Sequence, residues 1–214
     1  MTAPTLTRCA PRDPAAVILM LHGGKARGLD PVDERSASWR RSRWMMAHIG
    51  GRANRAGAAV WLLRYGVRGW NAGAGADPSP VPDTRWALDQ VRREHGDVPV
   101  VLLGHSMGAR TAVAVADHPG VVGVVGLAPW LPADEPTRTL AGKHLAVAHG
   151  ASDRITSARA SRAFVARADR VASSTEFHDM GRVGHYMFRR VAQWNDFAVS
   201  RSLAFVDAAV RSDR

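Results

Sequence analysis

Continuous runs of apolar residues occur at intervals along the chain and alternate with segments of helical character. Such a run is typical of a strand that is buried on both faces of a sheet. Strands alternating with helices predict an α/β protein with a doubly wound, mostly parallel sheet of about six strands, of reduced size and without internal repeats. The predicted strands, of which only the last is mixed in polarity, cover residues 16–22, 58–63, 98–103, 121–127, 145–149 and 173–178.

The segments between these runs predict helices. Residues 33–55 have a loosely periodic apolar face formed by Trp39, Trp44, Met45 and Ile49. The polar N-terminal residues 1–14, with three prolines, predict either a frayed lead-in or a short edge strand around Leu6. Further helices are predicted from a cap at Asp83 or Thr84 to about His95, from Met107 to about His118, over 157–169, and from the loop after residue 178 to about Val210.

The stretch 99–114 is the most informative part of the pattern. An apolar run ends there at the pentad Gly104-His105-Ser106-Met107-Gly108 and continues as small helix-forming residues. This order predicts a strand, a very tight turn with Ser106 at its apex, and a helix. We expect Gly104 and Gly108 where neighbouring backbone leaves no room for a Cβ, and a strained backbone at the serine.

Composition narrows the class of protein. A chain of 214 residues is long enough for one α/β domain, which we expect to span 1–214. The formal net charge is +10, but the basic residues, nearly all arginine, are scattered rather than gathered into a stripe, so a nucleic-acid partner is not expected. Cys9 is the only cysteine, which excludes a disulfide framework and a cysteine-built metal site.

Two local patterns imitate other functions. Arg8 and Arg12 before the apolar run 15–21 resemble a signal peptide, yet the run is short and leads into His22-Gly23-Gly24. No segment has the length needed to span a bilayer, so no membrane partner is expected. The single cysteine makes a reducing cytoplasm the expected location. Residues 23–28 resemble a phosphate-binding turn but lack both the Gly-Lys-Ser/Thr ending and the G-x-G-x-x-G spacing.

The G-x-S-x-G pentad between a buried strand and a helix resembles the nucleophile elbow of the α/β-hydrolase family. The resemblance extends over about residues 15–210 and implies that Ser106 is the nucleophile of a Ser-His-Asp triad. It implies a base after the last strand, where His185 lies in a glycine-flanked loop, with His178 as the alternative. It also implies an acid after the preceding strand, where His149-Gly150-Ala151-Ser152-Asp153 matches the Gly-x-x-Asp pattern of the family.

Alternatives to Asp153 remain open at this point. Asp134 or Asp179 could supply the acid, in which case Asp153 would only cap the helix that begins near Ser157. The order Ser106, Asp153, His185 agrees with the order in the family.

The resemblance further implies an oxyanion hole and an open site. The N–H of Met107 and an N–H from the Gly24 or Lys25 region are the expected donors. The segment 128–142 is too short for a helical lid. Lys25, Trp70, Trp130 and Tyr186 are the candidate substrate-binding residues, although burial of Trp70 under its loop is the simpler expectation.

These residues predict a lidless serine hydrolase that cleaves carboxylic esters of small or short-chain acyl groups through an acyl-enzyme. One alternative is a thioesterase that acts on acyl-thioesters, with an acidic acyl carrier as its partner. The other is a non-catalytic ligand-binding protein on a hydrolase scaffold. The triad needs no cofactor or metal, so none is expected, and the oligomeric state is open.

Overall fold

The computed structural model describes residues 2–73 and 75–212. The chain builds one sheet in the strand order β1-β3-β2-β4-β5-β6-β7. The strands are β1 Thr5–Cys9, β2 Ala16–Leu21, β3 Ala58–Arg64, β4 Val100–His105, β5 Val121–Leu127, β6 His144–His149 and β7 Ser174–Asp179. The helices are α1 Ala37–Arg55, α2 Pro80–His95, α3 Met107–Ala114, α4 Ala158–Ala168 and α5 Val191–Ser212.

The predicted doubly wound sheet is confirmed, with one more strand than the six expected. β1 pairs antiparallel with β3 at one edge, which settles the open reading of the N-terminal segment in favour of a strand around Leu6. The other strand pairs are parallel. The carboxyl ends of β2 to β7 therefore share one edge of the sheet.

The direction of winding reverses between β2 and β4. The chain first moves from β2 outward to β3, then returns past β2 to β4 and proceeds through β5 and β6 to β7. Right-handed crossovers then put α1 on one face and α2, α3 and α4 on the other. α5 returns to contact α1. The loops after β2 and β4 consequently flank the crevice where open α/β sheets bind ligands.

The core explains why the apolar runs read as strands. Every residue of β2 and of β4 is buried, as expected for central strands covered by helices on both faces. No helix in the described part of the chain is both long and apolar enough to cross a membrane.

Four helix boundaries differ from the sequence expectations, and the first of them is the start of α1, at Ala37 rather than at residue 33. α2 begins at Pro80, since proline is favoured in the first helical turn, and the predicted cap Asp83 instead accepts a hydrogen bond from the N–H of Gly66. α3 ends at Ala114, before Pro119, which is the first strong helix breaker after the elbow. α5 begins only at Val191, because Met187 and Arg190 have positive φ angles and the segment before it is not helical.

The segment between β5 and β6 carries no lid. Its residues include only a short 3₁₀ turn, Arg138–Leu140, within the described chain. The carboxyl edge of the sheet is therefore left without a covering helix from this segment, in line with the length argument.

Candidate active site

Ser106 occupies a sharp turn between β4 and α3. Its φ is 54° and its ψ is −116°, a conformation that a residue with a Cβ adopts at a cost of about 1–3 kcal/mol. The flanking glycines are required by close backbone contacts. A Cβ on Gly104 would overlap the backbone of Ala109, and one on Gly108 would overlap the carbonyl group of Leu21. The sequence reading of this turn agrees with its geometry.

The structure brings Ser106, His185 and Asp153 into one chain of hydrogen bonds. The hydroxyl of Ser106 donates to Nε2 of His185 over 3.1 Å, and Nδ1–H of His185 donates to Oδ2 of Asp153 over 2.8 Å. Ser106 and His185 are 7% and 6% exposed. A hydroxyl, an imidazole and a carboxylate in this order form the arrangement that activates a serine for acyl transfer.

The carboxylate of Asp153 is held by five hydrogen bonds. Oδ1 accepts from the N–H groups of Ile155 and Thr156, and Oδ2 accepts from His149, His185 and the hydroxyl of Thr156. Burial by itself would raise the pKa of Asp153, but the bonds from the two imidazoles and the two N–H groups outweigh it and lower the pKa. The carboxylate therefore stays ionised and faces His185 in a fixed orientation.

His149 is a second imidazole on the same carboxylate, which the sequence reading did not identify. It is fully buried at the end of β6, and its Nε2–H donates to Oδ2 of Asp153 over 3.1 Å. Its Nδ1 accepts from the hydroxyl of the equally buried Ser161 over 2.9 Å. The available signal was its position directly before the Gly-x-x-Asp pattern, four residues ahead of Asp153.

Thr156 was also missed. Its Oγ1 lies 2.9 Å from Oδ2 of Asp153, 3.1 Å from Nδ1 of His185 and 3.2 Å from the carbonyl oxygen of Ala128. The hydroxyl thus contacts both members of the His–Asp pair. Because it has one proton, which the carboxylate of Asp153 accepts, its contact with the carbonyl oxygen of Ala128 is not a second hydrogen bond. A threonine three residues after an aspartate carries no sequence signal for such a contact.

The two residues that carry the predicted oxyanion donors, Gly24 and Met107, are in contact. A Cβ on Gly24 would fall 2.5 Å from Cε of Met107, so the side chain of Met107 packs directly on the Gly24 backbone. Among the described residues, neither the N–H of Gly24 nor that of Met107 donates to a protein group. The N–H of Lys25 donates instead to the carbonyl oxygen of Arg68 over 2.9 Å. Of the two candidates after β2, only Gly24 keeps a free donor.

The candidate substrate-binding residues differ in exposure. Trp70 is 6% exposed and Tyr186 is 55% exposed, whereas Trp130 is half-buried and Lys25 is exposed. The backbone of Trp130 lies at the site, because its N–H donates to the carbonyl oxygen of Ser106 over 3.1 Å. Trp70 meets Trp130 edge to face with a centroid separation of 6.1 Å. Trp70 is thus core, and Trp130 and Tyr186 are the aromatic residues with surface to offer a ligand.

Arg110 joins the two tryptophans. Its guanidinium carbon lies 4.3 Å from the ring centroid of Trp70 and 4.6 Å from that of Trp130. Its Nε donates to Oε2 of the buried Glu135 over 2.6 Å. Burial raises the pKa of Glu135, and Arg110 partly offsets the rise. This cation braces the tryptophans against the segment that follows β5.

The alternative residues are placed elsewhere. His178 is exposed on β7 and packs toward Phe197 with a ring separation of 5.3 Å. Asp179 accepts from the N–H of Gly181, and Asp134 is exposed. Ser157 caps α4 with its own hydroxyl, so Asp153 is not needed there. No group of three or more His, Cys, Asp or Glu side chains within residues 2–73 and 75–212 is arranged to hold a metal ion.

Comparison with known families and structures places this geometry in context. Residues 76–148, which include the elbow, match the family model of serine aminopeptidase S33. No curated protein gives a significant match to the chain.

Solved structures are similar in fold at low sequence identity. A lidless α/β serine hydrolase from Xanthomonas campestris is 16% identical with a TM-score of 0.60, over 92% of this chain and 88% of its own. A propionate-bound esterase from Thermogutta terrifontis is 16% identical with a TM-score of 0.67, over 98% and 89%. The protein Est1E from Butyrivibrio proteoclasticus, solved with ferulic acid, is 13% identical with a TM-score of 0.65, over 95% and 96%.

Identities this low bear on the fold alone, and the fold is the same throughout. The strand order, the elbow after β4 and the match over residues 76–148 agree with one another. The chain therefore has the α/β-hydrolase fold.

Proposed function

We propose that the protein is a serine hydrolase that cleaves carboxylic esters of small or short-chain acyl groups. The observation that carries the proposal is the hydrogen-bonded series from Ser106 through His185 to Asp153, with separations of 3.1 and 2.8 Å. The imidazole can accept the proton of the hydroxyl, and the carboxylate can stabilise the imidazolium that results. The serine lies on a strained turn at the point where the winding of the sheet reverses.

The first half of the reaction forms an acyl-enzyme. Oγ of Ser106 attacks the acyl carbonyl carbon while its proton passes to Nε2 of His185. Asp153 keeps the other ring proton on Nδ1 and stabilises the imidazolium that forms. The tetrahedral intermediate collapses when the C–O bond to the alcohol breaks and His185 returns the proton to the leaving oxygen.

The second half repeats these steps with water. A water molecule gives a proton to His185 and attacks the acyl carbon, and the carboxylic acid leaves as Ser106 regains its proton. In both halves the negative charge develops on the carbonyl oxygen. The free N–H groups of Met107 and Gly24 are suited to stabilise that oxygen, with the first turn of α3 adding its positive end.

The preference for a small acyl group follows from the walls of the site. No lid helix from the segment after β5 covers it, Trp70 is buried, and Trp130 is braced by Arg110, so the two tryptophans do not line a long apolar channel. The Thermogutta terrifontis esterase of the same fold is solved with propionate, which is consistent with a short acyl group.

The test is a chain-length series. Purified wild-type protein is assayed on p-nitrophenyl esters from acetate to laurate, with Ser106→Ala as the control. We expect kcat/KM to be highest for acyl groups of about two to four carbons and to be lost in Ser106→Ala by about 10⁴-fold or more. A steady increase up to laurate would contradict the small-acyl preference.

Two further assays separate the alternatives. Acyl-thioesters with the same acyl groups decide between an oxygen esterase and a thioesterase. A fluorophosphonate probe, read by mass spectrometry, decides whether Ser106 is a nucleophile at all. Folded protein that takes no label on Ser106 would favour the non-catalytic binding protein.

A further inference from the structure

The segment that carries His185 is held by side chains rather than by other backbone. Residues 184–189 form no helix or strand, and Met187 has a φ of 57°. Among the described residues, the backbone of 184–189 makes three hydrogen bonds, all of them to side chains from elsewhere in the fold. The acceptors are the successive carbonyl groups of His185, Tyr186 and Met187.

His105 holds the first of these carbonyls. Its Nε2–H donates to the carbonyl oxygen of His185 over 3.1 Å, since a carbonyl can only accept. Burial, followed by the proximity of His185, lowers the pKa of His105 to about 3, so its ring is neutral at neutral pH. The other ring nitrogen, Nδ1, is then an acceptor, and it has no partner among the described residues.

Arg41, on α1, holds the next two carbonyls. Its Nε donates to the carbonyl oxygen of Tyr186 and its Nη2 to that of Met187, both over 3.3 Å. The side chain is 9% exposed and packs on Trp44, with 5.0 Å from the guanidinium carbon to the ring centroid. No carboxylate in the described part of the chain pairs with it. Burying a cation without a paired anion costs folding free energy, and the fold contains Arg41 despite this cost.

We propose that Arg41 and His105 are positioning residues, which fix the imidazole of His185 over Ser106 by clamping the three successive carbonyls of His185, Tyr186 and Met187. The inference rests on the proposed function, because it assigns these residues a role in the same reaction. Neither residue needs to touch the substrate. A displacement of about 1 Å at the reacting groups lowers a rate by about 10²-fold, so the placement of this segment matters for kcat.

The two halves of the clamp are neighbours inside the protein. Arg41 and His105 both line one small cavity of about 10 Å³. Among the described residues, each has one buried polar atom without a hydrogen-bond partner, which is Nη1 in Arg41 and Nδ1 in His105. Their effects on the segment are therefore expected to be coupled rather than additive. The contacts join three separate elements, α1, β4 and the segment before α5.

The test compares Arg41→Met with Arg43→Met. Methionine keeps much of the length of the side chain and removes both donors. Arg43 lies on the same helix, is exposed, packs over Trp39 and makes no hydrogen bond to residues 184–189, so its substitution is the matched control. The readouts are kcat and KM on p-nitrophenyl acetate, the rate of fluorophosphonate labelling, and hydrogen–deuterium exchange of the amides of Gln193 and Trp194, which donate to the carbonyl oxygen of Arg190 directly after this segment.

We expect Arg41→Met to lower kcat by about 10²-fold with KM changed by less than about 2-fold, because the substrate does not meet Arg41. Labelling should slow in parallel, and the amides of Gln193 and Trp194 should exchange faster because the carbonyl group of Arg190 is no longer fixed, while those of β4 keep their wild-type protection. Arg41→Lys, which keeps one donor, should lie between wild type and Arg41→Met. In the double variant Arg41→Met/His105→Leu, the loss should be smaller than the product of the single losses.

Three outcomes would overturn the clamp: wild-type kcat in Arg41→Met, unchanged exchange at Gln193 and Trp194, or equal effects in Arg43→Met. Should Arg41→Met fail to fold, Arg41→Lys is read by the same three measurements. If wild-type protein hydrolyses no ester and takes no label, the proposed function has failed, and the exchange measurement still decides whether Arg41 holds the segment.

Discussion

His149 and His185 share a single oxygen of Asp153, with ring nitrogens 3.1 and 2.8 Å from Oδ2. His185 is the imidazole that meets Ser106, whereas His149 is fully buried and leads away to Ser161. The carboxylate is thus oriented from both sides, and the orientation of His185 depends on a residue that never meets the substrate.

We expect His149→Phe to lower kcat by about 10- to 100-fold, since a hydrogen bond to a charged group is worth about 1.5–3 kcal/mol. His149→Gln, which keeps an N–H donor, should recover part of the loss. Kinetics on p-nitrophenyl acetate measure both, with His178→Phe on the exposed face of β7 as the control. Wild-type kcat in His149→Phe would show that the second imidazole is dispensable.

Asp153→Asn is expected to lower kcat by about 10⁴-fold, because an amide cannot stabilise the imidazolium and favours the wrong ring tautomer. The same pair of proteins gives a test by stability. The folded pKa of Asp153 is depressed, so its ionised form stabilises the protein above the unfolded value of about 3.9, and that stabilisation is lost as pH falls further.

The difference in unfolding free energy between wild type and Asp153→Asn should therefore be constant from about pH 7 to 5 and shrink below about pH 4. Urea unfolding at a series of pH values measures it. A difference that stays constant down to about pH 3 would contradict the depressed pKa.

Gly24→Ala is expected to lower kcat by about 10²–10³-fold. The new Cβ would fall 2.5 Å from Cε of Met107 and would also overlap the carbonyl oxygen of Arg68, so the backbone after β2 must move. Gly73→Ala is the matched control, because a Cβ at that position would meet nothing within 4 Å. Equal kcat values for Gly24→Ala and Gly73→Ala would show that Gly24 is not part of the oxyanion hole.

Trp70→Ala is expected to reduce stability, whereas Tyr186→Ala is expected to change KM. Trp70 is 6% exposed, so its truncation should cost about 3–5 kcal/mol of stability. Tyr186 is 55% exposed, so its truncation should change stability by less than about 0.5 kcal/mol and act on KM instead. Thermal unfolding and steady-state kinetics separate the two, and a stable Trp70→Ala would place that ring outside the core.

Strands β2 to β6 were predictable because they are almost entirely buried and form continuous apolar runs in the sequence, whereas β7 is mixed in polarity and partly exposed. β5, Val121–Leu127, has the predicted limits. The sequence leaves two interpretations of the β1 segment, since an edge strand is only partly buried and carries no such run. The start of α5 was placed too early because the positive φ angles of Met187 and Arg190 have no signature in residues that are not glycine.

The site divides in the same way. Ser106, Asp153 and His185 each follow a strand and lie in or beside a short sequence motif. Their positions and their order along the chain are therefore enough to identify them as candidate catalytic residues. Arg41 could not be found that way, since it meets Tyr186 across 145 residues of sequence and nothing near it marks the contact. His149 stood within the Gly-x-x-Asp stretch, but only its burial beside Ser161 reveals its contact with the carboxylate.

The backbone at Ser106 has a consequence for attempts to improve this protein. With φ at 54°, the position would accept glycine more readily than serine, so a library screened for heat resistance alone would enrich Ser106→Gly and discard the nucleophile. Directed evolution for thermal stability must therefore also select for catalytic activity, because selection for stability alone would yield inactive protein.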